Sequence, residues 1–418
     1  MTSERTYVWT WLGGRTEPVV AGALDPVGGQ LTFTYARSYR ERPDAVPLWP
    51  GELPLTAGVH RPRPGHDLHG CLDDGAPDAW GRRVILHRLT SSDRRAADPS
   101  ILPTLTYLLE SGTERVGAHD FQRSATEHVP REVEATLDEI VDAADRLEAG
   151  EPFSPEIDRV LDAGSSLGGA RPKAAVRAQD GRALIAKFST PTDHYPVVRA
   201  EAVGMLLARH VGLDVAPVSI VRSLGRDVLL VERFDRTPGT TRREGVVSAL
   251  TLLGLHEMHA RYATYPELAD AVRRWSDRPE ADLHELFRRI VLNILIGNRD
   301  DHARNHAMLW DGRRARLTPA YDLCPQPRMT GEATQAMAIG RDGSRHSRLM
   351  VCVENAEEFL MGRADAEEEV RRQVTLITEH WDEAAEEAGL TAADRAQLWG
   401  RAILHPYAFE GSPFEGPA

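Results

Sequence analysis

The sequence predicts an α+β fold of more than one lobe, with a β-rich subdomain at the amino terminus and an all-helical lobe at the carboxyl terminus. From Tyr7 to Tyr35 apolar and polar residues alternate between glycine pairs, which is typical of a small β-meander. Beyond Val246 the apolar residues recur at helical spacing. A chain of 418 residues exceeds one ordinary core, since single domains usually stop growing near roughly 250 to 300 residues.

We expect three regions along the chain. Residues 1–130 form the β-rich subdomain with a helical insertion, residues 131–245 mix strands and helices, and residues 246–418 are helical. The first boundary depends on a helix predicted from Val133 to Leu147, whose apolar residues fall on one face. A glycine and a proline shortly after this stretch end the helix.

The second region contains a glycine-rich turn and a hairpin. The strands KAAVRA and ALIAKF flank Asp180 and Gly181, and Asp-Gly between apolar runs is a strong hairpin signal. We predict that a helix from Val197 to Val211 follows, and then two strands at Val218 to Arg222 and Val228 to Val231.

A long apolar helix dominates the third region. Asp282 and Glu285 have the spacing of a capping box, the helix face beyond them is apolar, and Gly297 ends the helix. The chain then passes through the loop NRDDHARN and a hairpin at Asp311 and Gly312. We expect this hairpin to carry the following residues back towards the loop.

Composition excludes several classes of function. A net charge of −13 argues against a surface built for nucleic acid, and no run of about 18 apolar residues suits a membrane helix. The amino terminus lacks the basic start and apolar middle of a signal peptide, which favours a cytoplasmic location. Cys71, Cys324 and Cys352 fit neither a disulfide framework nor a zinc site, and we expect buried reduced thiols.

The loop NRDDHARN, from Asn298 to Asn305, carries the strongest chemical signal. Phosphoryl transfer needs an aspartate that orients the attacking hydroxyl, an asparagine five residues later on a metal, and a further aspartate beyond a hairpin. Asp300, Asn305 and Asp322 occur in that order, and the five-residue step selects Asp300 over Asp301. Because close carboxylates repel one another without a cation, we predict magnesium here.

The second region supplies the other parts that a nucleotide needs. In SLGGARPK, from Ser166 to Lys173, backbone N–H groups of a glycine turn can approach phosphate oxygens, although an ordinary turn is the alternative. No GK[ST] tripeptide follows, which excludes a Walker A motif. Lys187 on the next strand is placed to pair with phosphates and Glu201 to orient it; solvated surface charges are the alternative interpretation.

A hinge and two histidines complete the pattern. In VERFDR, Glu232 and Phe234 are expected to line a hinge whose backbone binds adenine; alone, the segment would be a strand end with a buried aromatic. His302 and His306 allow a transition-metal site, but we favour a histidine that braces the loop.

These parts together predict a protein-kinase-like two-lobed fold. Residues 131–245 would be the nucleotide-binding region similar to a kinase N-lobe, and residues 246–418 the helical C-lobe with the catalytic loop and the metal site.

With these motifs assembled, the chain resembles the HipA family of bacterial type II toxin–antitoxin serine/threonine kinases over nearly its full length. The family's amino-terminal part is similar to the meander, to APDAWGR from Ala76 to Arg82 and to LTYLLESGTERVGAHDF from Leu105. Its kinase part resembles SLGGARPK, LIAKF, VERFDR, NRDDHARN and TPAYDL in that order. This chain departs from the family pattern at Arg304, where lysine is usual, at Asp301, where a small residue is common, and at Pro172.

The resemblance implies a role for each site residue. Asp300 is the expected catalytic aspartate, Asn305 and Asp322 the magnesium ligands, and Ser166 the serine that is autophosphorylated, with Ser165 as the other choice. The expected nucleotide-binding residues are Ser166, Leu167, Gly168, Gly169, Ala170, Lys173, Lys187, Glu232, Phe234 and His302.

The resemblance also implies an activity and a partner. The activity is ATP-dependent, magnesium-dependent phosphorylation of a protein serine or threonine that arrests growth, in the family's known case on an aminoacyl-tRNA synthetase, and autophosphorylation of the phosphate loop inhibits it. The partner is a small helix-turn-helix antitoxin, through which DNA is contacted indirectly. Two alternatives stay open: a small-molecule phosphotransferase of the aminoglycoside-kinase type, and an inactive kinase relic that acts as a co-repressor scaffold with the antitoxin.

Overall fold

In a computed structural model of the chain, the described residues are 5–89, 101–131, 135–149, 160, 171–190, 193–328 and 331–416. The chain divides into two compact units. The first unit is Met1–Phe188, Arg222–Val247 and Leu309–Arg313, and the second unit is Ser189–Val221, Ser248–Met308 and Arg314–Ala418. The division into three regions stays a prediction.

The predicted meander is part of a five-stranded antiparallel sheet in the first unit. Its strands are β1 (Thr6–Thr10), β2 (Val19–Val27), β3 (Gln30–Tyr35), β4 (Val59–His60) and β5 (His119–Gln122), in the order β4-β3-β2-β1-β5. Gly22 of β2 is opposite Tyr35 in the register. A Cβ at Gly22 would overlap the carbonyl oxygen of Thr34 and the ring of Phe33, so the sheet needs glycine there.

Helices of the first unit lie between these strands in the chain and after them. They are α1 (Arg37–Arg40), α2 (Gly70–Asp73), α3 (Ala79–Leu89), α4 (Thr104–Glu110) and α5 (Leu137–Ala149). The helix predicted from Val133 begins at Leu137, and Val133 itself lies outside the described residues. Thr136 and Glu139 form a capping box, in which Thr136 N donates to Glu139 Oε2 at 2.8 Å and Glu139 N to Thr136 Oγ1 at 3.3 Å, and this box starts the helix at Leu137.

The second sheet contains the predicted hairpin of the middle region. Its strands are β6 (Lys173–Arg177), β7 (Ala183–Phe188), β8 (Val218–Ser223) and β9 (Arg226–Glu232), in the order β6-β7-β9-β8. Gly181 in the turn between β6 and β7 has a φ of 84°, which glycine adopts without strain. The antiparallel register places Lys173 directly opposite Lys187.

The second unit is largely helical, as predicted. Its α-helices are α6 (Val197–His210), α7 (Ala249–Leu253), α8 (Tyr265–Trp275), α9 (Pro279–Ile296), α10 (Leu349–Glu354), α11 (Arg363–Glu387) and α12 (Ala392–Leu398). Short 3₁₀ helices are Glu257–Tyr262, Ala303–Asn305, Ala356–Phe359 and Pro406–Phe409. From Leu286 to Ile296 nearly every residue of α9 is buried, so α9 forms the centre of this unit.

The predicted capping box of Asp282 and Glu285 is wrong. Helix α9 begins at Pro279, because proline suits the first helical turn and has no N–H that needs a partner. Asp282 is therefore already inside the helix, where its carboxylate accepts hydrogen bonds from Ser276 Oγ at 2.7 Å and Leu317 N at 2.9 Å. Glu285 instead pairs with Arg289 at 2.9 Å.

The hairpin after the loop NRDDHARN is confirmed. Strands β11 (Ala307–Trp310) and β12 (Ala315–Leu317) form a sheet with β10 (Gly245–Ser248), in the order β10-β11-β12. At the turn Gly312 has a φ of 97°, and Arg313 N donates to Asp311 Oδ1 at 2.7 Å. The chain therefore turns back after the loop, as expected.

Two further expectations concern helices and cysteines. Within the described ranges, no helix is both long and apolar enough to cross a bilayer. The three cysteines all lie in the described part of the chain and none is in a disulfide. Cys71 and Cys352 are buried as predicted, whereas Cys324 is only half-buried.

Candidate functional site

The loop NRDDHARN is held against the end of α9. Gly297 ends the helix with a φ of 70°, and a Cβ there would come within 2.7 Å of the carbonyl oxygen of Ala402, so glycine is required. Asn298 N donates to Asn293 O at 2.8 Å, and Asn298 Nδ2 donates to Asn293 Oδ1 at 2.9 Å. The loop therefore begins from a rigid, buried helix.

Asp301 points into the protein interior and binds three donors. Its Oδ2 accepts hydrogen bonds from the hydroxyl of Tyr265, from Asn293 Nδ2 at 2.7 Å and from His306 Nε2 at 2.8 Å. Burial opposes the charged form, but His306 and these hydrogen bonds hold the pKa of Asp301 below its ordinary value. Burial, and then the nearby Asp301 carboxylate, raise the pKa of Tyr265. Asp301 is therefore an ionised anchor under the loop.

Asp300, the predicted catalytic residue, is exposed, whereas the adjacent Asp301 is buried. Partial loss of water around its carboxyl is the main reason that the pKa of Asp300 is raised. The imidazole of His302 acts in the opposite direction, and the carboxylates of Asp322 and Asp301 raise it further. The structure thus brings Asp300 and Asp322 close enough for their charges to interact, as the hairpin predicts.

Asn305 and the residues beside it connect the loop to the segment beyond β12. Asn305 is buried and its Nδ2 donates to the backbone carbonyl of Asp300 at 3.2 Å, so the amide oxygen is the atom that the predicted magnesium site would use. The hydroxyl of Tyr321 donates to the carbonyl of Arg304 at 2.7 Å. The loop and the segment that carries Asp322 are therefore joined directly.

Asp322 has an uncommon backbone conformation. Its φ is 62°, in the left-handed region, which costs a residue with a side chain about 1 kcal/mol or more. The next residue packs closely on α6: a Cβ at Gly204 would overlap the carbonyl oxygen of Leu323. Glycine at position 204 therefore permits this close approach and supports the backbone directly after Asp322. The sequence pattern did not indicate this supporting role.

The three oxygen-bearing side chains fit a magnesium ion. Asp300, Asn305 and Asp322 offer carboxylate and amide oxygens, which magnesium prefers to nitrogen or sulfur. The pKa of Asp300 is raised mainly by partial burial, and the nearby carboxylate of Asp322 raises it further; a divalent cation would relieve both effects.

The histidines of the loop do not form the alternative transition-metal site. His306 is buried and uses Nε2 to bind Asp301, so it braces the loop as favoured above. His302 precedes the 3₁₀ helix, and its imidazole acts electrostatically on Asp300. Among the residues that the structure describes, neither histidine belongs to a metal-binding cluster.

Two of the predicted nucleotide-binding residues form a pair in the first unit. Lys173 on β6 and Lys187 on β7 occupy directly opposite positions of the antiparallel ladder. Directly opposite residues of an antiparallel pair have their side chains on the same face of the sheet. Ser166, Leu167, Gly168, Gly169 and Ala170 lie outside the described residues, so the predicted phosphate loop stays a prediction.

The segment VERFDR contains a buried charge network that the sequence did not indicate. Arg233 binds Asp235 at 2.8 Å and the carbonyl of Arg115 at 2.5 Å, and Asp235 also accepts from Gly117 N at 2.7 Å. Burial opposes the charge of Asp235, but Arg233 and Arg236 hold its pKa well below the ordinary range. This network joins VERFDR to the segment GTERVG within the first unit.

The predicted hinge residues flank the arginine of this network. Glu232 accepts from Arg182 Nη1 at 3.0 Å, and Phe234 lies between Arg233 and Asp235 in the chain. The side chains around them therefore have a structural role, and adenine binding by their backbone groups stays a prediction. Alternating charges in both segments are the signal that could have suggested the network.

Comparisons with known proteins show which family the chain is similar to. The family model described as the HipA-like C-terminal domain matches residues 165–400. A putative kinase, Y4mE, of Sinorhizobium fredii is 28% identical over 332 residues, which are 75% of this chain and 76% of that protein. The serine/threonine-protein kinase toxin HipA of Shewanella oneidensis is 28% identical over 148 residues, which are 31% of this chain and 34% of that protein.

A solved structure matches almost the whole chain. It is a chain of the complex of the Shewanella oneidensis toxin–antitoxin proteins HipA and HipB with operator DNA, with a TM-score of 0.67 and 19% identity over 94% of this chain and 96% of that one. This likeness confirms an α+β, kinase-like fold. Because the family model spans more than half of the 418 residues, the chain belongs to the HipA-like family of bacterial toxin–antitoxin kinases.

Proposed function

We propose that the chain is an ATP-dependent serine/threonine protein kinase and the toxin of a toxin–antitoxin pair. The observation that carries the proposal is the convergence of Asp300, Asn305 and Asp322 around one loop, with the pKa of Asp300 raised by its surroundings. The kinase and toxin names of its relatives support the same activity.

Asp300 is the proposed base and orienting group. The oxygen of a substrate hydroxyl attacks the γ-phosphorus, the bond to the β–γ bridging oxygen breaks, ADP leaves, and the hydroxyl proton passes to the Asp300 carboxylate. A raised pKa makes this carboxylate a better proton acceptor near neutral pH. The buried hydrogen bonds of Asp301 hold the backbone beside it, so orientation would be maintained without help from the substrate.

Asn305 and Asp322 are the proposed magnesium ligands. When bound, the ion would offset the negative charge of the phosphates. The left-handed backbone of Asp322 is consistent with a functional role, because strained conformations concentrate at such sites. Asn305 contributes its amide oxygen, since its nitrogen is engaged with the carbonyl of Asp300.

Lys173 and Lys187 are the proposed phosphate-binding cations. Their opposite positions on β6 and β7 would place two positive charges on the phosphates of one nucleotide. The loop from Ser166 to Ala170 would cover those phosphates. A phosphate on Ser166 would then add about two negative charges beside them, and repulsion would switch the enzyme off.

The proposed partner is a helix-turn-helix antitoxin, with DNA bound through it. The similar chain of the Shewanella oneidensis complex, which contains HipA, HipB and operator DNA, supports this proposal. A translation component such as an aminoacyl-tRNA synthetase is the proposed substrate class, and the cytoplasm is the proposed location.

The test is phosphoryl transfer from γ-labelled ATP to protein, including the chain itself, by the wild type and by Asp300→Asn. We expect Asp300→Asn to lower transfer by about 10² to 10⁴-fold while ATP binding persists, because only the base is removed. Asp365→Asn, an exposed aspartate on α11, is the matched control and should transfer normally.

Two other outcomes would overturn the proposal. If the wild type phosphorylates an aminoglycoside but no protein, the chain is a small-molecule phosphotransferase. If neither wild type nor variant binds ATP with magnesium, the chain is an inactive scaffold. Full transfer by Asp300→Asn would refute the catalytic assignment alone.

A further inference from the structure

A cluster of two histidines and a glutamate lies on the helices α6 and α11 of the second unit, separate in sequence from the loop NRDDHARN. His210 is the last residue of α6, and His380 and Glu383 are three residues apart on one face of α11. One nitrogen of each imidazole and one carboxylate oxygen all lie within 4.8 Å of one another. Within the described part of the chain, this is the group of histidine, cysteine and acidic side chains that is close enough together to hold a metal ion.

The distances in the cluster are close to those of a metal site. His380 Nδ1 is 3.0 Å from Glu383 Oε2, and His210 Nε2 is 3.9 Å from the same oxygen. A tetrahedral zinc ion with bonds of about 2.0 to 2.1 Å needs ligand atoms about 3.3 Å apart. Small side-chain movements would therefore bring the three ligand atoms around one ion.

His210 supplies the most informative observation. Among the described residues its Nε2 has no hydrogen-bond partner, although the atom is buried, and buried polar atoms normally have one. An ion between His210 and Glu383 would satisfy this nitrogen.

We propose that His210, His380 and Glu383 form a binding site for a late first-row divalent metal ion such as Zn²⁺, which joins the carboxyl end of α6 to α11. Zinc accepts two imidazoles and one carboxylate as ligands, whereas magnesium favours oxygen ligands over the two imidazole nitrogens. Three protein ligands leave a fourth position for water. The site is distinct from the magnesium site proposed above and does not depend on it.

The surroundings allow the movement that binding requires. The two imidazole rings are stacked, with centroids 4.2 Å apart and planes at 17°, so one ring must rotate to point its lone pair at the ion. His380 and Glu383 have side chains that are 34% and 63% exposed, so both can rotate. Arg209, which precedes His210 in the chain, pairs with Glu387 at 2.9 Å.

The experiment titrates Zn²⁺ alone into the full-length chain after chelation, with millimolar Mg²⁺ present throughout. We expect one Zn²⁺ per chain by calorimetry and a higher thermal unfolding midpoint, because an ion that binds only the folded state stabilises it. His380 is half-buried and Glu383 is exposed, so both His380→Ala and Glu383→Gln should fold. Each should weaken binding by at least about 10- to 100-fold and remove the rise in midpoint.

Two control variants separate this site from others. His259→Ala removes an exposed histidine from the 3₁₀ helix Glu257–Tyr262 and should bind Zn²⁺ as the wild type does. Asp322→Asn should also leave Zn²⁺ binding unchanged, since its side chain belongs to the proposed magnesium site. Stoichiometric binding that persists in both His380→Ala and Glu383→Gln, or no binding by the wild type, would overturn the proposal.

Discussion

Asp235 in the first unit and Asp301 in the second are both buried aspartates, and their surroundings differ. Asp235 faces the guanidinium groups of Arg233 and Arg236. Asp301 receives a hydroxyl, an amide and an imidazole, with no arginine among these partners. The first network pairs its carboxylate with guanidinium groups of opposite charge, whereas the second lies directly beside an exposed aspartate whose pKa is raised.

The comparison separates structural charges from functional ones. The pKa values of Asp235 and Asp301 are lowered, which means that the folded protein stabilises their charge. The pKa of Asp300 is raised, which means that the folded protein leaves its charge partly unrelieved. A group kept in this state beside another carboxylate is a candidate for binding a cation or a proton.

The largest expected effect is on the network of the first unit. Asp235→Ala removes the closer of the two carboxylates that pair with the two buried arginines of this network, and Glu114 is the other. We expect a loss of about 3 kcal/mol in the free energy of unfolding, measured with urea. The control is Asp25→Ala, whose pair with Arg5 is partly exposed and should contribute less than about 1 kcal/mol. Equal losses in the two variants would remove the structural role of Asp235.

The next effect on stability, of similar size, is expected at Asp301, the ionised anchor under the loop NRDDHARN. Asp301→Asn should lower the free energy of unfolding by about 3 kcal/mol at neutral pH, because its charged hydrogen bonds are lost. The folded pKa of Asp301 is lowered, so its contribution is complete above the ordinary aspartate value, about 3.9, and is lost as pH falls through the folded value.

Unfolding curves across the acid range provide the check on Asp301. Asp301→Asn should flatten the fall in stability below about pH 4, and Tyr265→Phe, which removes one neutral donor, should cost only about 1 kcal/mol. An unchanged acid dependence in Asp301→Asn would show that the anchor is not ionised.

Gly204→Ala should lower the free energy of unfolding by a smaller amount. It should also lower activity. The added Cβ of Gly204→Ala would displace the carbonyl of Leu323 and with it Asp322, costing about 1 to 3 kcal/mol. Misplacement by about 1 Å can lower the rate about 10²-fold, so ATP turnover should fall and need more magnesium. Gly331→Ala has open space around it and serves as the control; equal activity of both variants would refute the supporting role.

The smallest expected effect is a shift in the pH dependence of kcat/KM when His302 is replaced. The imidazole of His302 lowers the pKa of Asp300, so His302→Ala should raise it and move the acid limb of kcat/KM to higher pH. The carboxylate form is the proposed base, so activity is lost as pH falls through this pKa. His259→Ala, at an exposed position, should leave the profile in place. A shift towards lower pH in His302→Ala would contradict the electrostatic role.

Local sequence patterns predicted the features that depend on residues close together in the sequence, such as the loop NRDDHARN and the hairpin after it. The step from Asp300 to Asn305 and the Asp-Gly turn were sufficient to place Asp322 near the loop, because a hairpin returns the chain. The start of α9 was mistaken because Pro279 begins the helix before the acidic pair.

Contacts between segments that are far apart in the sequence could not be predicted from the sequence pattern. The bond from Gly117 N to Asp235 spans 118 residues, and no spacing rule connects such positions. The close packing of Gly204 on Leu323 likewise depends on tertiary structure, since an isolated glycine in a helix gives no indication of what it contacts.

The most direct test of the central claim is the magnesium dependence of ATP turnover in the wild type and in Asp322→Asn. We expect wild-type turnover to saturate with magnesium, and Asp322→Asn to lose turnover and to need much higher magnesium for nucleotide binding. The same magnesium requirement and the same turnover in both proteins would contradict the assignment of Asp300, Asn305 and Asp322 as one cation-binding catalytic site.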